Sequence, residues 1–188
     1  VASAIVSLGA IYLTYPLIGQ SEMIGYISKQ ALWLVLSGIL LFFLVKVGTD
    51  RLFTLVDVFY YILMFFLFGL VLAHFGILSF NFMRAINGTN AWYLIPGLGS
   101  FQPSEFMKIV LVIKAANIIV EHNKEKTEYS WSSDFALFAK IMKWALPPLI
   151  LIILQPATGI PIVILMSLAI MFMVSGTKKQ WFFIFIFT

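Results

Sequence analysis

The sequence predicts an all-α fold, a polytopic membrane helix bundle, and three observations carry that expectation. Of 188 residues, 62% are hydrophobic and only 11% charged, where a soluble domain carries roughly 25% charged residues. The apolar residues fall in runs close to the ~20 that cross hydrocarbon as a helix. Those runs are apolar nearly all round, without the single stripe of a surface helix or the period-two alternation of a membrane strand. A soluble core of this length has no room for so much apolar side chain.

Six spans and the start of a seventh are expected. They run from Val1 to about Ile18, Gln30 to Val47, Phe53 to Phe75, Pro103 to Val120, Phe138 to Leu154 and Gly159 to Ser175, with the seventh opening near Gln180. Both ends read as cut: the chain opens on Val1 inside an apolar run and closes inside the aromatic run from Trp181 to Thr188. Residues 1–188 are expected to form a single integral membrane domain with an extracytoplasmic loop at 76–102 and a cytoplasmic loop at 121–137.

Lysine and arginine in short loops set the orientation. Lys46, Arg51, Lys124, Lys126, Lys140, Lys143, Lys178 and Lys179 fall on one side, and only Lys29 and Arg84 on the other. The richer side is expected to be cytoplasmic, which places the N-terminal side of the chain inside and the 76–102 loop outside. That outer loop is rich in Gly, Asn and aromatic residues and is expected to fold back onto the membrane face. Strands are not expected. The segment from Glu121 to Lys143 turns amphipathic at Trp131 and is expected to lie on the headgroups as a connector, with Ser133 or Asp134 capping a helix there.

Several function classes are excluded or weakened. The absence of cysteine removes disulfide scaffolds and thiolate metal sites. The net charge of +4 is spread over short clusters between apolar runs, so no nucleic-acid partner is expected. His74 and His122 fall on opposite sides of the membrane, and no metal site is expected. Gly-rich phosphate loops and Ser/His/Asp sets are missing.

The string Phe101-Gln102-Pro103-Ser104-Glu105-Phe106-Met107-Lys108 carries the most chemistry. Pro103 suits the first turn of a helix, where its missing N–H costs nothing. Gln102 or Ser104 can serve the free N–H groups there. Glu105 favours the positive end of the helix dipole, and Lys108, one turn on, shares its face. Such a pair beside hydrocarbon needs the bundle interior or a polar cavity. Lys114 lies about 120° around the helix from Lys108, so it should not join that pair; snorkelling toward the cytoplasm is the simplest fate for it. A second string, Gln155-Pro156-Ala157-Thr158-Gly159-Ile160-Pro161, breaks the helix between the fifth and sixth spans. The topology puts that break on the outer side, where Gln155 and Thr158 can line the same region as Glu105.

The outer loop with Gly88 and Trp92, followed by the string from Phe101 to Lys108, resembles the SEDS family (shape, elongation, division and sporulation), which includes RodA, FtsW and SpoVE. The Gln155-Pro156 break followed by a Gly and an apolar helix resembles a second signature of that family. The stretches Glu121-His122-Asn123-Lys124 and Ser133-Asp134-Phe135 look like RodA-type members of Gram-positive bacteria. The resemblance covers essentially the whole chain. It implies a ten-helix protein of the bacterial inner (plasma) membrane that polymerises lipid II into glycan strands, with a class B penicillin-binding protein as partner. It implies a functionally required acid and base at Glu105 and Lys108, and motif positions with a structural role at Gln102, Pro103, Ser104, Pro156, Gly159, Gly88 and Trp92; Gln102, Ser104, Gln155 and Thr158 are also candidate substrate-binding residues. No cofactor is assignable, although a divalent cation is compatible with the substrate.

Two departures stand against that pattern. The second signature normally reads Gln-Pro-Asp-Leu-Gly-Thr, and here Ala157 replaces the Asp and Ile160 the Thr. The family's proposed catalytic Asp falls in an outer loop after the seventh helix, beyond residue 188, so this piece alone is expected to be inactive. Two readings of other classes stay open: a transporter that flips the lipid-linked precursor, for which Lys114 is the best candidate residue, and a non-catalytic scaffold that recruits a penicillin-binding protein.

Overall fold

A computed structural model describes residues 2–13, 20–78, 89, 91–95, 99–125 and 130–178. The apolar runs fold as helices α1 (Ala2–Leu13), α2 (Gln20–Val47), α3 (Thr49–His74), α4 (Pro103–Glu125), α5 (Trp131–Ile153) and α6 (Gly159–Val174). Two compact units are present, Val1–Leu52 and Phe53–Thr188. In the first, α1 packs on α2. Gly48 follows α2 at φ +77, a left-handed value that glycine adopts without steric penalty.

In the second unit α4, α5 and α6 pack pairwise. Their interior holds Met107, Leu137, Ile152, Ile164 and Phe172, all buried. Helix α3 buries Leu67 and Leu70 and reaches its neighbours through long side chains. The Tyr60 and Trp144 rings meet edge to face at 5.3 Å, and the Tyr60 hydroxyl donates to the Trp144 carbonyl at 3.0 Å. That bond has a covalent cause. Pro148, inside α5, has no N–H to give the carbonyl four residues back, and Tyr60 supplies the missing donor.

Apolar side chains also face outward on a large scale, among them Val35, Leu40, Phe43, Phe65, Ile150 and Val174. Water would not tolerate so much exposed hydrocarbon, whereas lipid does. Among the described residues, three helices are long and apolar enough to cross a bilayer: Glu22–Phe43, Arg51–His74 and Trp131–Ile153, with the apolar Gly159–Val174 shorter. Helix α4 has the length, at 23 residues, but carries Glu105, Lys108, Lys114 and Glu121 along it.

Each of the first six expected spans corresponds to a helix, with shifted ends. The helix of the second span starts at Gln20 rather than Gln30, and α4 runs on past Val120 to Glu125. The hydropathy criterion marks only the stretch in hydrocarbon, and a helix continues into the headgroup zone. Helix α5 starts at Trp131, so the amphipathic segment is its first turns and not a separate connector. Its cap is neither Ser133 nor Asp134: the Ser130 hydroxyl accepts from the Ser133 N–H at 3.2 Å. Asp134 is fully buried and accepts instead from the Lys178 N–H at 3.0 Å. The end of the first span (residues 14–18), the start of the seventh and Gly88 lie outside the described residues.

The 76–102 loop corrects one expectation. It contains two short antiparallel strands, β1 (Tyr93–Ile95) and β2 (Gly99–Phe101), with Tyr93 opposite Phe101 and Ile95 opposite Gly99. Three-residue strands are too short for an alternating pattern to register in sequence.

Hydrogen bonds tie together both ends of the second unit. At one end Asn123 donates to the Ser175 carbonyl at 3.0 Å, and His122 lies 3.0 Å from the Ser133 hydroxyl. At the other, Tyr93 and Gln155 donate to the consecutive carbonyls of Phe66 and Leu67 on α3, at 2.7 and 2.9 Å.

Candidate functional site

Helix α4 begins where proline allows. Pro103 is its first residue, and the Glu105 N–H donates to the Gln102 carbonyl at 3.1 Å. The side chains of Gln102 and Ser104 do not cap the helix; both are buried, and the Ser104 hydroxyl has no partner among the described residues. Pro103 and Met107 are buried with them. Gln102, Ser104 and Met107 thus face inward on this turn.

The opposite flank of the same turn is open. There Lys108 Nζ lies 2.9 Å from Glu105 Oε2, with 28% of the lysine and 48% of the glutamate side chain exposed. The i, i+3 pair expected from spacing is therefore formed. Both groups keep enough free surface to meet a ligand, and the lysine is already oriented by its carboxylate.

The hairpin is fixed beside this turn by aromatic packing. Phe101 in β2 stacks near Phe106 of α4 at 5.1 Å, and Phe66 of α3 meets Tyr93 and Phe101 edge to face at 5.4 and 5.8 Å. Edge-to-face pairs add about 1 kcal/mol each beyond area burial. Tyr93 is buried, and that burial pushes its phenol up to about 12, because the charged form would lose its water. Trp92 is half-buried in the same loop.

The second string divides. Gln155 is fully buried with its amide nitrogen on Leu67, and its Oε1 finds no partner among the described residues. It braces α3 against the turn between α5 and α6. Thr158 is exposed next to α6, and its side chain makes no capping bond. Pro156 is exposed in the turn, and a side chain at Gly159 would meet open space; crowding does not require glycine there. Ala157, the departure from the family signature, is half-buried. This turn shares the hairpin's end of the unit, but no hydrogen bond among the described residues joins it to Glu105 or Lys108.

Sequence reasoning missed one constellation. Lys114, buried on α4, pairs with Asp57 of α3. Its ammonium also sits 3.7 Å from the centroid of the Trp144 ring and 5.8 Å from that of Tyr60. A lysine in mid-helix is thus satisfied by a carboxylate and two aromatic faces and does not snorkel to the interface. A depth signal was available. Asp57 lies about 12 Å along α3 from one end, and Lys114 about 17 Å back along the antiparallel α4, at ~1.5 Å per residue.

Among the described residues, no three His, Asp or Glu side chains gather into a metal-binding group. The cavity between α5 and α6, about 440 Å³, is lined by apolar side chains such as Phe138, Met142 and Met166 and offers no catalytic group.

The family described as "Cell cycle protein", covering FtsW, RodA and SpoVE, matches residues 2–188. The "Probable peptidoglycan glycosyltransferase FtsW" of Lactococcus lactis is 28% identical over 111 residues, 55% of this chain and 26% of that protein. Its namesake in Nitrosomonas europaea is 33% identical over 98 residues, 52% of this chain and 24% of the relative. A crystal structure of the Thermus thermophilus rod shape determining protein RodA, carrying one substitution, superposes with a TM-score of 0.67 at 27% identity. It covers 98% of this chain and 55% of its own. The unsubstituted protein gives 0.64 at 25% identity. The chain spans about a quarter of the curated relatives it matches and about half of the solved RodA chain. A sequence match from end to end and a shared helical architecture lead to one conclusion: the chain belongs to the FtsW/RodA/SpoVE family of multi-pass membrane proteins.

Proposed function

We propose that the protein containing this chain is a peptidoglycan glycosyltransferase of the RodA type that polymerises lipid II at the outer face of the plasma membrane. The observation that carries this reading is the Glu105–Lys108 pair, formed at 2.9 Å on the open flank of α4. In the proposed orientation, which follows the lysine-rich side of the sequence, the N-terminal side of the chain is cytoplasmic and this pair stands at the extracytoplasmic rim. Lys108 supplies fixed positive charge to the pyrophosphate as it leaves. Glu105 holds that ammonium in place and keeps an exposed oxygen edge toward the acceptor sugar. The anion-binding work falls to Lys108 and not to the helix N-terminus, because Pro103 has no N–H and the Glu105 N–H already serves the Gln102 carbonyl. Ser104 is buried. A class B penicillin-binding protein is the proposed partner that cross-links the product.

The transporter reading loses its best residue, since Lys114 is paired with Asp57 and covered by Trp144. The test uses the full-length protein with purified lipid II. Glu105→Ala and Lys108→Ala should each slow polymerisation by about a hundredfold or more. Polymerisation at the wild-type rate by both variants would overturn the assignment. Loss of turnover in the unsubstituted protein, with partner binding kept, would point to a scaffold.

A further inference from the structure

Helices α3 and α5 meet with a matched pattern: Tyr60, Tyr61 and Met64 on one, Lys143, Trp144 and Pro147 on the other. Between them lies an open cavity of about 270 Å³. Its walls are almost entirely apolar and aromatic, and they have no part in the Glu105–Lys108 site. The floor is rigid. Trp144 is held by the Lys114 ammonium and by the Tyr60 ring, and its carbonyl takes the Tyr60 hydroxyl. The aliphatic stem of Lys143 lines one wall, and the residue is exposed. Among the described residues no carboxylate lies within ion-pair distance of its ammonium. Pro147, also in the wall, deprives the Lys143 carbonyl of its i+4 donor. A carbonyl without that donor at membrane depth calls for a hydroxyl or water.

We infer that this cavity binds an anionic phospholipid bearing headgroup hydroxyls, of the phosphatidylglycerol class. The phosphate meets Lys143, one acyl chain lies along Tyr61, Met64 and Pro147, and a headgroup hydroxyl can reach the Lys143 carbonyl. Charge complementarity selects the occupant: a basic side chain over an aromatic cleft between spanning helices is the chemistry that recognises acidic lipid. A zwitterionic lipid brings its own ammonium against Lys143. The proposed orientation assigns this site to the cytoplasmic leaflet, opposite the Glu105–Lys108 rim, but binding itself depends on neither the orientation nor polymerisation.

The experiment is native mass spectrometry of the purified full-length protein after exchange into mixed vesicles of phosphatidylglycerol and phosphatidylcholine. The unsubstituted protein should retain phosphatidylglycerol over phosphatidylcholine. Lys143→Gln should weaken that retention about fivefold, the effect of one lysine at an acidic lipid surface, and Lys143→Arg should keep it. Met64→Trp, which fills the cavity and leaves the charge in place, should lower retention of both lipids. Equal retention of the two lipids by the unsubstituted protein, or undiminished phosphatidylglycerol retention in Lys143→Gln, would overturn the inference.

Discussion

Helix α4 carries two charged pairs of opposite character. Glu105–Lys108 closes within a single turn on an open flank, with 48% and 28% of the side chains exposed. Lys114–Asp57 joins α4 to α3, with its lysine 9% exposed and its aspartate, on the outside of the pair, 57% exposed. The first is local, so it costs the fold little and leaves its charges available. The second is tertiary and removes the lysine's charge, though not the aspartate's, from solvent, so the ammonium must be satisfied by what surrounds it, including Trp144.

The sharpest way to break this contrast is to remove each lysine. Lys108→Ala should lower lipid II polymerisation by about a hundredfold or more while leaving the unfolding temperature nearly unchanged. A large loss of stability would show that the rim pair is structural after all. Asp57→Ala, which strands the buried ammonium, should cost about 2 kcal/mol of stability as measured by thermal unfolding in lipid nanodiscs. The double variant Asp57→Leu/Lys114→Met should recover most of that. An additive double variant would deny the coupling.

A smaller effect is expected at Tyr93, which fixes the hairpin to α3. Its folded pKa, about 12, stands above the ordinary value of 10.0. Its contribution to stability is therefore complete below pH 10.0 and is lost as pH rises toward 12. Tyr93→Phe should flatten that part of the stability profile and cost about 1 kcal/mol at neutral pH. The smallest change belongs to Glu105→Gln, which should shift stability by no more than about 0.5 kcal/mol, since the pair it breaks is partly exposed.

The same contrast explains what the sequence disclosed. The start of α4 and the Glu105–Lys108 pair were legible because proline and i, i+3 spacing act within one turn. The helical class and the six described helices were legible from hydropathy. Asp57 escaped notice because its partner lies 57 residues away, and only knowledge of which helices are neighbours links the two. The early start of α5 was hidden because Ser130 caps it in polar surroundings, outside the apolar run. Gln102, Ser104 and Gln155 were visible as motif residues, but which way each points depends on packing against α3, α5 and α6. Burial turned all three away from the open flank.

The two neighbouring carbonyls of α3 have a mechanical consequence. Phe66 anchors the β1–β2 hairpin through Tyr93, and Leu67 anchors the α5–α6 turn through Gln155. With adjacent peptide units as mooring points, any axial slip of α3 tugs both segments in concert. The rod that carries Asp57 toward one leaflet thereby sets the height of the furniture at the other.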